Sequence, residues 1–450
     1  MKRCGTVKGR SCLNGSKQRR YLGPDESVAS PTVSIEGLMA SLVIDAYEDR
    51  DVAIFDVPGA YLHAELPKDN LILMKLKDEF VDIMCKVNPD YSKYIRHEKG
   101  RKVLYLRVLR ALYGCIQSAL LWYNLFTETL QDMGFVINPY DRCVANKTVN
   151  GKQLTIVWYV DGCKISHEDP TVVTELINNL KKQFGDLKVS RGRTHNFLGI
   201  NFEIMKNKSI EMNMKEQILE AIEAFGEPIT KTATSPAKVH LFEVREDDQA
   251  LSEEKAEVFH SVVMKLLYIM KRVRPDIETT VAFLSTRVWC STLDDWYKLK
   301  RCLEFLNGTL NDKRIIGADG LYMLYTWVDA AYAVHQNMRS HTGGCMSFGL
   351  GTIHAKSSKQ KLNTKSSTEA ELVGVSEYMP NNIWLINFLH EQGYQINPNI
   401  LLQDNQSAIR MEKNGRNSCT EDSRHIDIRY FFVKDRVDKN EISIQYCPTG

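Results

Sequence analysis

The 450-residue chain lacks the features that mark several protein classes. No apolar stretch approaches the roughly 18–20 residues that cross a membrane, and we expect no signal peptide in the basic, apolar-poor N-terminus. The eleven cysteines form no Cys-x-x-Cys pair, so we expect free thiols in a reducing compartment rather than a disulfide framework or a zinc site. An apolar fraction of 43% and a charged fraction of 25% exclude a disordered chain, a collagen and a coiled coil.

The chain also has little net charge. Its 58 Lys and Arg against 56 Asp and Glu leave +2, which taken alone argues against a nucleic-acid-binding protein. The charges are unevenly distributed, however, because residues 1–20 contain seven basic residues and no acidic one. Between Asp329 and Glu369 there are five basic residues and no acidic one, whereas residues 241–257 contain seven acidic residues and are predicted to be a connector. Charge runs are usually solvated surface, so their position relative to motifs decides their meaning.

The hydrophobic pattern of the first half predicts both helices and strands. Helical spacing is found over residues 33–47 and 171–184. Val52–Phe55 and Leu154–Val160 have the pattern of buried strands.

The second half has a different organisation. Residues 252–307 are predicted to be mostly helical, with breaks at Pro275 and near Ser291. From Leu321 we expect strands with glycine-rich turns, followed by a helix that opens at Ser366. The length is enough for roughly two to four domains, so we predict a multi-domain α/β protein.

Two aspartates on predicted strands form the first candidate site. Asp56 follows the apolar run Val52–Phe55, and Asp161 lies between two apolar runs and precedes Gly162. An Asp-Gly pair between apolar runs is a strong signal for a two-residue hairpin turn, so one interpretation is that Asp161 only shapes a turn. The alternative is that both carboxylates lie on adjacent strands and bind divalent metal, since Mg²⁺ prefers carboxylate oxygens and substrate phosphates.

Several motifs follow one another in a specific order. FDVPGAYLHAELP, VLRALYGCIQSALLWY, IVWYVDG and FLGI occur in the order seen in the reverse transcriptases of copia-type LTR retrotransposons, which this chain resembles. Downstream, MKLLYIMKRVRPDI resembles the family's segment beyond the palm. SSTEAEL, LLQDNQSAI and SRHIDIRYFFV resemble its RNase H domain, so the resemblance covers nearly the whole chain.

The resemblance implies a multi-domain α/β (α+β) fold. A right-hand polymerase of palm, fingers and thumb would be followed by an RNase H-like mixed sheet with helices. We therefore expect fingers and palm in residues 1–237 and a mostly helical thumb and connection in residues 238–320. Residues 321–450 would form an RNase H-like domain that is truncated at its C-terminus.

The resemblance also implies roles for individual residues. By position, Asp56 and Asp161 resemble the catalytic, metal-binding aspartates of the palm. Tyr61 resembles the aromatic gate under the incoming sugar, although the residue alone would equally be a core aromatic. Gln117 resembles the glutamine that lines the nucleotide pocket, and Arg10 resembles a fingers cation that holds the triphosphate. The expected substrate-binding residues are Tyr61, Gln117, Tyr159, Val160 and Arg10.

One position departs from the family pattern. Tyr159, Val160 and Asp161 resemble the start of the family's Tyr-Val-Asp-Asp hairpin, but Gly162 stands where the second aspartate belongs. We expect the turn to persist, because glycine accepts a positive φ. Losing one carboxylate is expected to cost ~2–4 kcal/mol of transition-state stabilisation, or roughly 10²–10³ in rate.

A second set of carboxylates lies in the C-terminal block. Ser366 and Glu369 fit a capping box, which gives Glu369 a structural role at its own helix terminus. Glu371 is about 200° further round the helix, so the two glutamates cannot share one site. The resemblance implies that Asp329, Glu371 and Asp404 are catalytic residues that bind metal and hydrolyse the RNA strand of an RNA–DNA hybrid.

Three further expectations follow from the resemblance. The family's RNase H site has a fourth aspartate a little beyond the segment that is Tyr446–Thr449 here, and we expect that ligand to be missing. His425 lies in a segment typical of the family, and we interpret it as a packing or capping residue. The N-terminus is predicted to begin inside the fingers, so we expect a fragment clipped at both ends.

The implied function is that of an RNA-directed DNA polymerase with ribonuclease H activity. It would use about two Mg²⁺ ions per active site, with Mn²⁺ as a substitute. The implied partners are an RNA template, a DNA primer, an RNA–DNA hybrid and dNTPs, with no membrane. The implied location is cytoplasmic virus-like particles, with passage into the nucleus.

Under this hypothesis, the unevenly distributed basic residues bind nucleic acid. The N-terminal basic run would belong to the fingers, and the basic residues between Asp329 and Glu369 would bind hybrid phosphates near the RNase H carboxylates. The residues expected to grip the duplex from the helical block are Lys271, Arg272, Arg274 and Arg287. The alternative is a retroelement relic that folds and binds nucleic acid but catalyses little, which Gly162 and the missing fourth aspartate favour.

Overall fold

The computed structural model describes residues 12–21, 23, 28–67, 71–245, 247–414 and 427–448, without the side chains of residues 427–431. Within these residues the chain forms α-helices, short 3₁₀-helices and strands that are arranged in four sheets. The predicted mixed α/β class is therefore confirmed. Among the described helices, none combines the length and apolar character needed to cross a membrane. The described cysteines are all free thiols.

The helices are distributed along the whole described chain. The α-helices are α1 (Ile35–Tyr47), α2 (Ala60–His63), α3 (Glu79–Val87), α4 (Ser118–Asp132), α5 (Pro170–Phe184), α6 (Lys215–Ala224), α7 (Glu253–Arg272), α8 (Glu278–Ser285), α9 (Leu293–Gly308), α10 (Ser367–Glu391), α11 (Gln406–Asn414) and α12 (Asp427–Asp438). The 3₁₀-helices are Gly15–Tyr21, Pro89–Tyr94 and Pro275–Ile277.

The first nine strands form two sheets. They are β1 (Asp51–Asp56), β2 (Leu73–Lys77), β3 (Arg96–Glu98), β4 (Arg101–Arg107), β5 (Val136–Ile137), β6 (Val144–Val149), β7 (Lys152–Tyr159), β8 (Gly162–His167) and β9 (Lys188–Arg191). The six-stranded sheet is antiparallel with the order β5-β6-β7-β8-β1-β9. The three-stranded sheet has the order β2-β4-β3.

The remaining strands form two five-stranded sheets. They are β10 (Thr194–Phe197), β11 (Ile200–Ile204), β12 (Ser209–Asn213), β13 (Arg314–Ala318), β14 (Leu324–Ala331), β15 (His341–Ser347), β16 (Gly349–Leu350), β17 (His354–Lys359), β18 (Asn399–Gln403) and β19 (Ser443–Tyr446). The linking sheet has the order β10-β11-β12-β13-β16, and the C-terminal sheet has the mixed order β17-β15-β14-β18-β19.

The helices and strands predicted from periodicity are present. Helix α1 begins after Ser34, whose side chain accepts a hydrogen bond from the Gly37 N–H as an N-cap. Helix α5 begins at Pro170, where the missing N–H costs nothing. Both helices agree with the predicted segments to within about two residues.

The acidic stretch 241–257 overlaps the start of the helical block predicted from residue 252, and the structure places the boundary there. Ser252 caps helix α7 by accepting a hydrogen bond from Lys255 N–H. Glu253 and Glu254 lie in the first turn of this helix, where negative charge favours the helix dipole. The acidic residues from 253 onwards are therefore helical.

The linking sheet joins the three predicted domain blocks. Strand β13 belongs to the block expected to be helical, yet it pairs with β12 from the first block and with β16 from the third. The register places Ile316 opposite Ile210 at the centre of this arrangement, and both side chains are buried. The blocks therefore share one sheet and do not pack as separate bodies.

Helix α10 lies between the C-terminal sheet and the six-stranded sheet. Near its middle, Tyr378 packs so closely on Gly344 of β15 that a Cβ there would lie 2.3 Å from the ring. Further along, Trp384 Nε1 donates to the Tyr140 carbonyl at 3.2 Å, beside the six-stranded sheet. The helix therefore connects the C-terminal sheet to the six-stranded sheet.

The end of α10 is anchored to the six-stranded sheet by polar contacts. Tyr394 donates to the Glu48 carboxylate at 2.8 Å and accepts from Arg50 at 3.0 Å. Gln153 of β7 donates to the Gln392 carbonyl at 2.5 Å. Because Arg50 is 5% exposed, these bonds are shielded from water and hold the helix in one position.

Candidate active sites

The first candidate site lies at one end of the six-stranded sheet. Asp56 is the last residue of β1, and its Cα partner in antiparallel β8 is Gly162. Asp161 precedes β8, and its carbonyl accepts a hydrogen bond from Val57 N–H at 2.8 Å. The register therefore brings the two predicted palm aspartates to the same end of the six-stranded sheet. Burial, and then the charges of Asp161 and Asp56, raise the pKa of the Cys163 thiol behind them.

The hairpin turn between β7 and β8 differs from the prediction by one residue. Its two loop residues are Val160 and Asp161, whereas Gly162 already belongs to β8. The positive φ, +57°, falls on Val160, a β-branched residue for which this conformation is strained. Trp122 of α4 donates from Nε1 to the Val160 carbonyl at 2.7 Å and holds the turn. The expected use of glycine for a positive φ is therefore wrong.

Gly162 lies directly beside Asp56. A Cβ at this position would lie 3.4 Å from Asp56 Oδ1 and 3.5 Å from Phe197 Cε2, which are ordinary contact distances. The backbone at residue 162 therefore tolerates a Cβ, and glycine is not required there by a close contact. What Gly162 lacks at this end of the sheet is a carboxylate.

Three of the predicted substrate-binding residues, Tyr61, Tyr159 and Val160, lie around this end of the sheet. Tyr61 of α2 is half-buried, with its ring centroid 4.9 Å from that of Tyr113. Burial, followed by the charge of Asp161, raises the pKa of the Tyr61 hydroxyl. Tyr159 ends β7 and is 38% exposed.

Gln117 lies at a large cleft. It immediately precedes α4 and lines a cleft of about 1600 Å³ between the 3₁₀-helix Gly15–Tyr21 and the three-stranded sheet. Lys17 and Lys75 contribute positive charge to this cleft. Arg10 lies outside the described residues, as does His425.

The predicted duplex grip in the helical block requires correction. Arg274 is 3% exposed, pairs with Asp276 at 2.6 Å and donates to the Thr309 carbonyl. Arg287 is bonded to Asp295, which caps α9. These two arginines hold their own helices together, so the prediction that they grip a duplex is wrong. The sequence does not reveal this because Asp295 and Thr309 are distant partners.

The second candidate site lies at one end of the C-terminal sheet. Asp329, Glu371 and Asp404 each offer a carboxylate oxygen, and these oxygens lie within 4.8 Å of one another. Parallel strands β14 and β18 pair Trp327 with Leu402, so Asp329 and Asp404 both come two residues after this pair. The shared register explains why residues 75 positions apart in the sequence meet at the same level of the sheet.

Helix α10 supplies the third carboxylate. Glu371 is 5% exposed, and its Oε1 accepts a hydrogen bond from Ala330 N–H at 3.2 Å. Its Oε2 accepts one from Gln403 Nε2 at 3.3 Å. Burial, followed by the Asp329 charge, raises the pKa of Glu371 to about 8. Three carboxylates so close together repel one another unless a proton or a cation neutralises them.

Glu369 does not take part in this cluster. Ser366 caps α10 by accepting from Glu369 N–H at 3.2 Å. The Glu369 carboxylate accepts from Lys365 N–H at 2.7 Å, one residue before the position of an ideal capping box. The two glutamates are therefore separated, as their helical spacing predicts.

Sequence reasoning missed Gln403. It is 1% exposed at the end of β18, and its amide contacts both Glu371 and the backbone after Asp404. The only signal in the sequence is a polar residue that directly follows the apolar run Ile400–Leu402.

The basic residues of the C-terminal block lie on one edge of the sheet and in the segment that leads to α10. Lys356 and Lys359 belong to the edge strand β17, and Lys359 is exposed. Slight burial, followed by the charge of Arg339, lowers the pKa of Lys359. Lys361 and Lys365 follow and are also exposed.

The two sites differ in how well their residues suit a divalent cation. Three carboxylates that converge within 4.8 Å form an oxygen-rich set of the kind preferred by a hard divalent cation. At the first site, Asp56 and Asp161 supply two carboxylates, and Gly162 supplies none. The residues of the second site therefore fit a divalent ion better than those of the first.

Comparison with known proteins assigns the family. A model of the family described as reverse transcriptase (RNA-dependent DNA polymerase) matches residues 2–238. The chain belongs to the reverse transcriptase family. The matched region contains Asp56, Asp161 and the six-stranded sheet that carries them.

Curated relatives extend the similarity beyond this region. The retrovirus-related Pol polyprotein from transposon TNT 1-94 of Nicotiana tabacum is 27% identical over 450 residues, covering 98% of this chain and 32% of that protein. The corresponding polyprotein from transposon RE1 of Arabidopsis thaliana is 25% identical and covers 98% of this chain and 28% of that protein. This member of the reverse transcriptase family thus spans about a third of its relatives' length. The predicted resemblance to a copia-type Pol segment is confirmed.

A solved structure also matches most of the chain. The prototype foamy virus protease-reverse transcriptase is 12% identical with a TM-score of 0.25, covering 97% of this chain and 47% of that one.

The raised pKa of Glu371 predicts how the stability of this reverse transcriptase family member depends on pH. The ordinary pKa of a glutamate is 4.5, and that of Glu371 in the folded chain is about 8. At pH values between these two, the unfolded chain releases the Glu371 proton while the folded chain retains it. The metal-free protein therefore loses stability as pH rises through this window. The Glu371→Gln variant has no such proton to lose. As the pH rises from 5 to 9, we therefore expect its free energy of unfolding to gain about 1–3 kcal/mol relative to that of the parent. Urea unfolding in EDTA measures this difference, with Glu369→Gln as the control. Identical pH profiles for the parent and Glu371→Gln would contradict it.

Proposed function

We propose that this chain is the RNA-directed DNA polymerase and ribonuclease H segment of a retrotransposon Pol polyprotein. The observation that carries the proposal is the convergence of Asp329, Glu371 and Asp404 from three separate elements in a chain of the reverse transcriptase family. Two catalytic sites on one chain match the chemistry of copying an RNA template and then removing it.

The ribonuclease H site has the more complete set of residues. Asp329, Glu371 and Asp404 would hold Mg²⁺, for which Mn²⁺ is a substitute. Such ions, when bound, supply a Lewis acid and an activated water for phosphodiester hydrolysis. Ala330 N–H and Gln403 fix the Glu371 carboxylate before any ion binds, so little reorganisation is needed.

The polymerase site has fewer ligands. Asp56 and Asp161 would hold Mg²⁺ beside a primer 3′-hydroxyl and an incoming dNTP. Tyr61, near Asp161, would pack under the sugar of the nucleotide, and Tyr159 and Val160 would support the primer end. Gln117 would line the nucleotide path from the adjoining cleft.

The nucleic acid would be held by exposed cations. Lys356, Lys359 and Lys361 lie on or directly after the edge strand of the sheet whose end carries the carboxylates. Lysines placed in this way bind phosphates without reading sequence, so they suit an RNA–DNA hybrid. An RNA template and a DNA primer are the corresponding partners of the first site.

A second candidate function is favoured by Gly162. A retroelement relic would retain the fold and the basic surfaces but polymerise DNA slowly, because one carboxylate is missing beside Asp56. The relic and the enzyme differ in the activity of the first site, and the following experiment separates them.

Restoring a carboxylate at residue 162 is expected to accelerate polymerisation. A Cβ at residue 162 would meet its neighbours only at ordinary contact distances, so Gly162→Asp adds a carboxylate beside Asp56 without a clash at Cβ. We expect primer extension on an RNA template to rise roughly 10²–10³-fold. Gly162→Asn is the matched control, because it fills nearly the same volume without charge. Equal rates for the Asp and Asn variants would overturn the argument from the lost carboxylate.

The two glutamates of α10 predict opposite outcomes for hybrid cleavage. Glu371→Gln is expected to lower cleavage of the RNA strand by at least about 10², because it removes one of three clustered carboxylates. Glu369→Gln removes only a contact at the helix terminus and should retain activity within a few-fold. The measurement is release of labelled RNA fragments from a preformed hybrid. Comparable losses in the two variants would refute the assignment of Glu371.

A further inference from the structure

Gln403 connects two of the three carboxylate-bearing segments of the second site. Its Oε1 accepts hydrogen bonds from Asp404 N–H at 2.8 Å and from Asn405 N–H at 3.1 Å. Its Nε2 donates to Glu371 Oε2 at 3.3 Å. A single side chain, 1% exposed, thus bonds the turn after β18 and the glutamate on α10.

This arrangement requires an amide. The two backbone N–H groups need an acceptor, and the Glu371 carboxylate needs a donor. A side-chain amide offers both in one planar group, whereas a carboxylate only accepts and a methionine does neither strongly. The length of glutamine also matters, because the group must reach across from β18 to α10.

The two bonds to Glu371 are not equivalent. Ala330 N–H belongs to the backbone of β14 and holds Oε1. Gln403 holds Oε2, so it determines how the carboxylate plane is turned relative to Asp404. Without Gln403, the neighbouring negative charges would favour rotation of the Glu371 carboxylate away from the cluster.

We propose that Gln403 is a positioning residue that fixes Glu371 and the Asp404 turn at the spacing a divalent cation requires. The inference rests on the proposed function, since it assumes that Asp329, Glu371 and Asp404 bind metal. It adds a residue that touches neither substrate nor ion and acts through the ligands it orients. Groups of this kind typically change metal affinity by about 10–100-fold when they are removed.

The test measures Mn²⁺ binding to the full chain without nucleic acid, and electron paramagnetic resonance monitors the binding. The binding event that Asp404→Asn abolishes defines the second site. Gln403→Met keeps the length and removes the amide, so we expect the affinity of this site for Mn²⁺ to fall about 10–100-fold. Gln403→Asn keeps an amide in the core but draws it back by one methylene, and we expect a loss of affinity here as well.

Asn399→Leu is the matched control for stability. Asn399 lies at the opposite end of the same strand, is 5% exposed and bonds Asn382 through its amide, away from the carboxylates. We expect this variant to lose stability while the Mn²⁺ affinity remains that of the parent.

The outcomes separate the inference from the function on which it rests. Unchanged Mn²⁺ affinity in a folded Gln403→Met or Gln403→Asn variant would overturn the positioning role while leaving the metal site intact. If the parent shows no Mn²⁺ binding that Asp404→Asn removes, the proposed metal site itself is wrong. Should Gln403→Met not fold, Gln403→Asn alone decides the question.

Discussion

The packing of α10 against the C-terminal sheet is the constraint on which the second candidate site depends, and the far end of the same helix is tied to the six-stranded sheet. One end of the helix carries Glu371, buried against Ala330 and Gln403, and the other end is anchored by Tyr394 to Glu48 and Arg50. A displacement of the helix at either end would be transmitted along a rigid, buried element. The positions of the six-stranded sheet and the C-terminal sheet are therefore linked through one helix.

The same constraint makes a costly cluster of charges tolerable. One carboxylate oxygen from each of Asp329, Glu371 and Asp404 lies within 4.8 Å of the others, and burial, followed by the Asp329 charge, raises the pKa of Glu371. Such a cluster destabilises the fold unless something neutralises it, which is typical of sites that are shaped for a ligand and not for stability. The first site lacks this density of charge, because Gly162 contributes no carboxylate beside Asp56. The two candidate sites thus differ in the number of carboxylates that they bring together.

Much of this organisation is predictable from the sequence, since local patterns define most of its elements. Helices α1 and α5, strand β1 and the separation of Glu369 from Glu371 all follow from periodicity and capping. Other features depend on distant partners that a pattern does not contain. The Val160 carbonyl in the hairpin turn accepts a hydrogen bond from Trp122 of α4, and the buried Arg274 donates to the carbonyl of Thr309, 35 residues further along the chain.

The residues of the candidate sites also divide into those that a sequence pattern predicts and those that only the structure reveals. Each aspartate follows an apolar run and can be found as a chemical candidate, but the meeting of Asp329 with Asp404 depends on the parallel register of β14 and β18. Gln403 has no motif of its own and is recognised only by the three hydrogen bonds that it makes.

The central claim is that Asp329, Glu371 and Asp404 form a divalent metal site. Anomalous diffraction from crystals of the full chain soaked in Mn²⁺ at neutral pH tests it most directly. We predict a Mn²⁺ peak bound by an oxygen from each of the three carboxylates, with Glu371 still bonded to Gln403. A well-ordered site with no anomalous peak among the three carboxylates, at Mn²⁺ concentrations that saturate binding in solution, would contradict the account.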